Sequence, residues 1–523
     1  MKRLALLAAA ALALAGPASA QDTPRRGGTL NFSIAFEPPT YDCHAATTFA
    51  VLHAVAPHYS TLLKFDLAKY PEVTGDLAER WTVSPDGKTF TFALRPNVRF
   101  HDGTPMTSAD VKASYERIMN PPQGVVSVRK GELADIARID TPDPRTVVFT
   151  LREVNASMLG FFASPWNCIY SAAKLKEDGT FPQKNILGTG AFRFVEHARG
   201  SHWIGQRFDG YFREGRPYLD GFRAVFMSQT SAITNALQGG AIHADFRGFT
   251  PADRERLQAA MGDKVRFELA DEMVSIIATF NTEKAPYSDP RVRRALSLAI
   301  DRWAGSQGLR RTSRLASVGG IFRPGSPSAA TEAELQASTG FGRDIAAARA
   351  EARRLLQEAG VPNLSFALVN RNQPPYTEAG VYLVDQWRQI GVTVEHRQVE
   401  IAQWSSALTS GNFDVIVDFT NDYVDDPSLA LVKYLSHDKS PTNGSRAIDR
   451  TLDGLYERQQ RTMDAGARRA LLRQFETRAL GEAYSVPLLW VQRIVALNAD
   501  VRGWRISPSN SLGQDLIDVW LAK

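Results

Sequence analysis

Hydrophobic and polar residues alternate with a period of two in the stretch from residue 76 to residue 100. Phe90, Phe92 and Leu94 occupy every second position, which predicts a strand with one buried face. A Ser-Pro-Asp-Gly tetrapeptide at 84–87 precedes this strand and follows a run that ends at Val83. Because proline fixes φ and glycine accepts a positive φ, the stretch predicts a β-hairpin.

The hydrophobic spacing becomes helical after residue 107. Val111, Tyr115 and Ile118 would share one face of a helix. Thr107 and Asp110 have the spacing of a capping box, with aspartate in place of glutamate. The sequence therefore predicts a helix that begins directly after Thr107.

Helical and strand patterns alternate along the rest of the chain. Asp289 followed by Pro290 predicts the start of one helix, and a second helix is predicted between Asp344 and Gly360. Three apolar runs predict strands: LSFALVN (364–370), VTVEHRQV (392–399) and FDVIVDF (413–419). This alternation predicts α/β lobes with largely parallel sheets, and we expect extended crossings rather than a flexible tether between them.

Composition changes this picture in two respects. A chain of 523 residues is too long for one hydrophobic core, so two or three domains are expected. Lysine and arginine are dispersed along the chain, so the pI of about 9.1 indicates no nucleic-acid partner.

The N-terminus has the organisation of a secretory signal peptide. Lys2 and Arg3 precede an apolar run, residues 4–15, that is too short for a comfortable membrane span. The small residues Ala-Ser-Ala at 18–20 predict cleavage after Ala20. We therefore expect an exported chain. No cysteine directly follows the cleavage site, and Cys43 lies too far downstream, so a lipid anchor is not expected.

Cys43 and Cys168 are the two cysteines of the chain. In an oxidising compartment they could form a disulfide, or they could be two buried thiols. Their spacing in sequence leaves both alternatives open, because pairing depends on the distance between their Cα atoms.

An acidic cluster directly follows the apolar run at 413–417. Its aspartates are Asp418, Asp422, Asp425 and Asp426. A metal cage, an acid/base pair, a solvated loop and a grip for a cationic ligand are the alternatives. The spacing lacks the rhythm of a calcium loop, and His44, His53 and His58 match no compact zinc pattern. No metal and no cofactor are predicted.

One catalytic motif occurs, the S-x-x-K of Ser171 and Lys174. A lysine so placed can activate a serine for acyl transfer, but the companion motifs of that chemistry are missing. An acyl enzyme is kept as a distant alternative, and the prediction is that the chain is not an enzyme.

Residues 76–119 resemble the signature segment of extracellular solute-binding proteins of family 5, the dipeptide-, oligopeptide- and nickel-binding receptors of ABC importers. The matching residues are Leu77-Ala78-Glu79, Trp81, Ser84-Pro85-Asp86-Gly87, Phe92, Leu94-Arg95, Val98, Phe100-His101-Asp102-Gly103, Thr107 and Asp110-Val111. Further matches are GTGAF (188–192), where alanine replaces the family's proline, FDGYF (208–212), RPYLDGF (216–222), FNTEKAPYSDPRVRRALSLAIDR (280–302), Trp404 and GNFDVIVDF (411–419). The resemblance covers nearly all of the mature chain.

The resemblance implies a bilobal α/β periplasmic-binding-protein fold, type II-like, with three domains and hinge closure over a cleft between the lobes. The implied segments are a signal peptide at 1–20, domain I at 21–62, 185–275 and 492–523, an inserted domain II at 63–184, and domain III at 276–491. Domains I and III would enclose the ligand.

The resemblance also implies the function. A monomeric periplasmic receptor would capture a small peptide or another amine-bearing solute and deliver it to a membrane-embedded ABC permease complex. An opine, a sugar or a metal chelate in the same fold is the alternative.

In peptide-binding members of the family, an aspartate just before an Asp/Glu-Pro pair holds the α-ammonium group of the ligand. Asp422 matches this aspartate with one extra residue before the proline, so Asn421 is the alternative anchor. Tyr423 lies beside it as a further contact. Asp425 and Asp426 are expected to structure the loop, and Asp418 to cap the end of the strand.

Four more residues complete the implied site. Trp404 either stacks on the ligand or packs in the core of its lobe. Tyr41, His44 and Phe49 are expected to face the cleft from the other lobe, where Pro-Thr-Tyr-Asp-Cys-His at 39–44 replaces the family's usual leucine-aspartate-proline.

Overall fold

The computed structural model describes residues 23–46 and 48–522. The predicted signal peptide lies outside the described residues. No helix in the described ranges combines the length and the apolar character that crossing a membrane requires.

The strands of the described chain are short except for two. They are β1 (Thr29–Ile34), β2 (Leu63–Phe65), β3 (Val73–Gly75), β4 (Ala78–Val83), β5 (Thr89–Leu94), β6 (Ile136–Asp143), β7 (Thr146–Leu151), β8 (Phe192–Ala198), β9 (His202–Arg207), β10 (Gly221–Phe226), β11 (Ala244–Asp245), β12 (Val265–Phe280), β13 (Leu315–Ser317), β14 (Ser365–Arg371), β15 (Thr393–Val399), β16 (Val415–Asn421), β17 (Ser485–Asn498), β18 (Val501–Arg502) and β19 (Trp520–Leu521).

The α-helices lie between and around these strands. They are α1 (Phe49–Val55), α2 (Ser108–Met119), α3 (Met158–Phe162), α4 (Ala172–Glu177), α5 (Thr230–Gln238), α6 (Pro251–Met261), α7 (Pro290–Leu298), α8 (Arg302–Thr312), α9 (Glu332–Gln336), α10 (Ile345–Glu358), α11 (Tyr376–Arg388), α12 (Ile401–Ser410), α13 (Pro427–Ala430), α14 (Arg450–Gln460) and α15 (Ala465–Glu482).

One large sheet runs through both lobes, with the order β15-β14-β16-β12-β17-β11-β1-β10-β9-β8 and with β13 also paired to β17. The expectation of largely parallel sheets is wrong. Strand β14 is parallel to β15 and β16, and β1 is parallel to β10 and β11, but the remaining pairs are antiparallel. The sheet is mixed because β12 and β17 run antiparallel to their neighbours and β8–β9 is a hairpin.

The two long strands, β12 and β17, connect the lobes. The first half of β12 pairs with the end of β17, and its second half pairs with the start of β17 and with β16. Their register shifts between Asp271 and Ser275, where a bulge interrupts the ladder. A bulge in a two-stranded crossing is a place where a sheet can bend, so we assign the hinge to this point.

The inserted segment forms its own antiparallel sheet, β4-β5-β7-β6. The predicted hairpin is present, since β4 and β5 flank the 84–87 turn. The capping box of Thr107 and Asp110 starts α2 as predicted. Asp289 and Asp344 cap α7 and α10, also as predicted. Separate hydrophobic cores fill this sheet and the two lobes, while the domain boundaries stay a prediction.

Cys43 and Cys168 form a disulfide in the structure, with their Cα atoms 6.1 Å apart. Both residues are buried in the core of the first lobe. The bond ties the segment that precedes α1 to the end of the inserted domain, 125 residues away. Of the two alternatives that the sequence left open, the structure thus has the disulfide and not two buried thiols.

Candidate ligand-binding cleft

The acidic loop at 422–428 follows strand β16 at its carboxyl end. The Asp425 carboxylate accepts hydrogen bonds from two nitrogens of Arg323, the closer at 2.7 Å. The backbone N–H of Asp425 donates to the Tyr70 hydroxyl at 2.9 Å. Asp426 caps α13 through the Ser428 N–H at 2.8 Å and accepts from Ser157 Oγ at 2.7 Å. Both aspartates therefore structure the loop, as expected.

Asp422 differs from these neighbours because its carboxylate has no hydrogen bond or ion pair with any residue that the structure describes. It is half-buried at a small pocket that opens between the 321–328 segment and the acidic loop. Burial raises the pKa of Asp422 to about 7, and the nearby charges of Asp425, Asp426 and Glu132 add to this shift, while Lys433 opposes it. An enclosed carboxylate with no counter-charge is suited to receive a cation.

Asn421 and Tyr423 flank this carboxylate but have other surroundings. Asn421 is exposed at the end of β16, opposite Val274 of β12. The Tyr423 hydroxyl donates to Glu132, whose pKa burial raises to about 7. Tyr423 thus attaches the loop to the inserted domain, and of the two possible anchors Asp422 is the enclosed one.

The position of Asp418 differs from the one expected from the sequence. It does not cap the end of the strand but lies within β16, fully buried, with its carboxylate 2.7 Å from Lys433 Nζ. The residue belongs to the strand because β16 continues to Asn421 along β12. The opposite charges of Asp418 and Lys433 compensate each other. Asp418 also interacts electrostatically with Arg371, and Lys433 with Asp422.

Trp404 packs in the second lobe, where its indole N–H donates to the Val417 carbonyl at 2.8 Å. The face of its ring lies 3.9 Å from the guanidinium of Arg371. Phe419 and Tyr376 contact the same guanidinium at 4.6 and 4.7 Å. The tryptophan therefore contributes to an aromatic cage around a cation.

Arg371 is a residue that the sequence analysis missed. Only 8% of it is exposed, yet its guanidinium makes no hydrogen bond or ion pair within the described ranges. Burial lowers its pKa, while Tyr376 and Asp418 oppose the shift. A buried guanidinium without acceptors is costly unless a ligand supplies them.

A signal for Arg371 was present in the sequence. It is the first charged residue after the predicted strand LSFALVN and the last residue of β14. Ligands of open α/β sheets bind outside the carboxyl ends of parallel strands. Arg371 and Asp422 both interact electrostatically with the Asp418–Lys433 pair, Arg371 with Asp418 and Asp422 with Lys433.

The first lobe contributes aromatic groups and another arginine. Phe49, half-buried at the start of α1, has its ring 5.1 Å from the guanidinium of Arg247. Phe36, with 53% of its surface exposed, lies 5.5 Å from the same guanidinium. Of the three residues expected on this side, Phe49 is thus in an open, aromatic environment.

Tyr41 and His44 pack on the first lobe instead, Tyr41 half-buried against its core and His44 inside it. The Tyr41 hydroxyl is 2.7 Å from His197 Nδ1, and its ring meets Trp203 edge-on. His44 is buried, with its nitrogens at 2.9 Å from the Cys168 carbonyl and 3.1 Å from Arg117. Burial lowers the pKa of His44 to about 4. The disulfide draws this segment inward.

The motif Ser171-x-x-Lys174 has a structural role. The Ser171 hydroxyl accepts from the Lys174 N–H and caps α4, and Lys174 Nζ is paired with Glu177 at 2.8 Å. No group of three or more histidine, cysteine or acidic side chains is placed to hold a metal in the described part of the chain.

Comparisons with known proteins agree with this architecture. The model of bacterial extracellular solute-binding proteins, family 5 Middle, matches residues 72–441. The probable D,D-dipeptide-binding periplasmic protein DdpA of Escherichia coli K12 is 25% identical over 447 residues, 84% of this chain and 83% of its own. The glutathione-binding protein GsiB of Salmonella typhi is 29% identical over 46% of each chain.

Solved structures share the fold over nearly the whole chain. The periplasmic binding protein AgaA of Agrobacterium tumefaciens R10, in complex with agropinic acid, is 26% identical with a TM-score of 0.75 and covers 94% of this chain and 99% of its own. The ABC transporter substrate binding protein CtaP of Listeria monocytogenes reaches a TM-score of 0.83 at 22% identity, over 95% of this chain and all of its own. With the family model matched over residues 72–441, the chain belongs to the bacterial extracellular solute-binding proteins of family 5.

Proposed function

We propose that this solute-binding protein is the periplasmic receptor of an ABC importer, that it captures a short peptide or another amine-bearing solute, and that it delivers this solute to a membrane permease. Removal of the signal peptide after Ala20 would release the mature chain. Relatives named as periplasmic or ABC transporter peptide-binding proteins support this proposal.

The pair formed by Asp422 and Arg371 carries the proposal. Each is enclosed, each bears an opposite charge, and neither has a partner within the described chain. Each also interacts electrostatically with one member of the Asp418–Lys433 ion pair, whose two charges compensate each other. Such an arrangement fits a zwitterion, with an ammonium group at Asp422 and a carboxylate at Arg371.

The same charges would couple binding to closure. An ammonium group about 4 Å from a carboxylate contributes roughly 4 kcal/mol at an effective dielectric near 20. Closing the lobes over an unpaired carboxylate would cost several kcal/mol instead. Asp422 would therefore favour the closed form only when a cation is bound, which is the differential interaction that a ligand-driven closure needs.

Calorimetric titration with the dipeptide Ala-Ala tests the proposal. Asp422→Ala should weaken binding at least tenfold, whereas the control Asp209→Ala, at an exposed aspartate, should not. Equal affinities of the wild type and Asp422→Ala would remove Asp422 from the anchor role.

An opine or a related acid is the second candidate, because AgaA was solved with agropinic acid and its fold matches over nearly the whole chain. Titration with agropinic acid beside Ala-Ala separates the two. Binding of the acid alone would move the acidic loop to a structural or hydroxyl-binding role.

A further inference from the structure

Arg247 is an exposed cation on the first lobe, in the loop between β11 and α6. Its guanidinium lies over the rings of Phe36 and Phe49 at 5.5 and 5.1 Å. It makes no hydrogen bond or ion pair with a side chain in the described ranges. The aromatic rings pack against the face of the guanidinium and leave its N–H donors available to bind an acceptor.

Two carboxylates that interact electrostatically with this guanidinium, Glu272 and Asp245, already have hydrogen-bond partners. Glu272, in the hinge bulge, accepts from Arg314 and from Asn510 Nδ2, the latter at 2.5 Å. Asp245 accepts from Ser33 Oγ at 2.6 Å and from two backbone N–H groups of the 247–248 loop. Neither carboxylate accepts a hydrogen bond from the Arg247 guanidinium, so its N–H donors are open to solvent or to a ligand.

Arg247 also lies close to the second lobe. Tyr376, which contacts Arg371 at 4.7 Å, is within electrostatic range of the Arg247 guanidinium. Burial lowers the pKa of Arg247 even though the residue is exposed, as expected for a side chain on the wall of a cleft. Arg247 and Arg371 thus both interact electrostatically with Tyr376, and of the two only Arg371 contacts its ring in the described chain.

The loop that carries Arg247 is held in place from within. Arg493, fully buried in β17, donates to the backbone carbonyls of Phe246 and Arg247 and to those of Ser507 and Ser509. Its donors thus go to main-chain oxygens, and the 246–247 backbone is fixed to the same strand that crosses the hinge. Arg247 is therefore presented from a rigid support.

We propose that Arg247 determines specificity by binding a second anionic group, so that the ligand is an amine-bearing dicarboxylate such as an acidic dipeptide. The inference rests on the proposed function, because it adds one charge to that site. Among the described residues of the candidate site, Arg247, Arg371 and Asp422 have no hydrogen bond or ion pair at their charged groups, and they match a ligand with two carboxylates and one ammonium group. A monocarboxylate would leave one guanidinium without an acceptor.

Two matched dipeptide pairs test this inference: Ala-Glu against Ala-Gln, and Glu-Ala against Gln-Ala. Each pair has the same shape and differs by one carboxylate. Titration calorimetry of the wild type should show at least one acidic member binding tenfold or more tightly than its amide. In Arg247→Met the ratio should fall below threefold, and Arg247→Lys should keep part of it because the charge remains. Arg80→Met, at an arginine with 77% of its side chain exposed, is the matched control.

The possible failures are distinguishable. Acid and amide binding equally in both pairs would overturn the role of Arg247 and leave the receptor function intact. A preference that survives in Arg247→Met would likewise overturn it. Failure of all four dipeptides to bind the wild type would contradict both the dicarboxylate and the proposed peptide ligand. If Arg247→Met does not fold, the acid-to-amide ratio of Arg247→Lys against that of the wild type decides the role of Arg247, because a ratio unchanged in Arg247→Lys would overturn it.

Discussion

Binding of an amine-bearing solute should weaken steeply as the pH falls below 7. Asp422 must be ionised to hold an ammonium group, but its pKa in the ligand-free protein is raised to about 7. Burial is the largest cause, followed by the charges of Asp425 and Asp426, with a smaller contribution from Glu132. The α-amino group of a peptide, with a pKa of about 7.7 to 8.0, stays mostly protonated up to pH 7.5, so the carboxylate sets most of the dependence.

The magnitude follows from the ionised fraction of Asp422. With a pKa of about 7, this fraction is about 0.76 at pH 7.5 and about 0.03 at pH 5.5, so linkage predicts a loss of about 25-fold in affinity. The ligand-free protein should respond in the opposite sense. A carboxyl with a raised pKa in the folded state contributes stability below its unfolded pKa, and this contribution is lost as the pH rises through 7.

Calorimetric titration of Ala-Ala between pH 5.5 and pH 7.5 measures this dependence, with Asp422→Asn as the variant and Asp209→Asn as the control. The asparagine should bind weakly and with a flat pH profile, since it cannot titrate. A profile for the wild type that changes less than threefold would refute the reasoning. An equally steep profile in Asp422→Asn would assign the titration to Glu132, whose pKa is also about 7.

Three further predictions concern the residues around the site. Arg371→Met should weaken Ala-Ala binding at least tenfold and remove any preference for Ala-Ala over its C-terminal amide, both measured by calorimetry. An unchanged preference would contradict the proposal that Arg371 binds the carboxylate of the ligand. Reduction of the Cys43–Cys168 disulfide, which spans 125 residues, should lower the free energy of unfolding by about 4 to 5 kcal/mol, measured by denaturant titration. Two free thiols in the unreduced, denatured protein would show that the disulfide does not form. Arg468 of the second lobe donates to Ser157 Oγ of the inserted domain at 2.8 Å. Arg468→Met should therefore destabilise the closed form and weaken Ala-Ala binding roughly fivefold, about 1 kcal/mol. An unchanged Kd would show that this contact does not stabilise closure.

The sequence predicted those elements whose start or end depends on neighbouring residues. The hairpin around 84–87 and the helix caps at Thr107, Asp289 and Asp344 require only local chemistry, and the structure has each of them. Strand direction depends instead on which distant strand lies alongside. The sheet is mixed because β12 and β17 cross between the lobes, and no local pattern encodes such a crossing.

The site was predictable only in part, for the same reason. Asp422 could be found because it lies in a recognisable acidic loop. Arg371 had only a positional signal, at the end of a predicted strand, and Arg247 had none. Only the structure shows that, among the described residues, the acids around them have other partners. Tyr41 and His44 were misplaced because the packing around the disulfide turns their segment into the lobe.

Native mass spectrometry of the mature protein from its own periplasm, followed by release and identification of the bound solute, tests the central claim most directly. The account predicts a small solute that carries a primary amine and at least one carboxylate, matching Asp422 and Arg371. A released solute without an amine would contradict the ammonium site at Asp422.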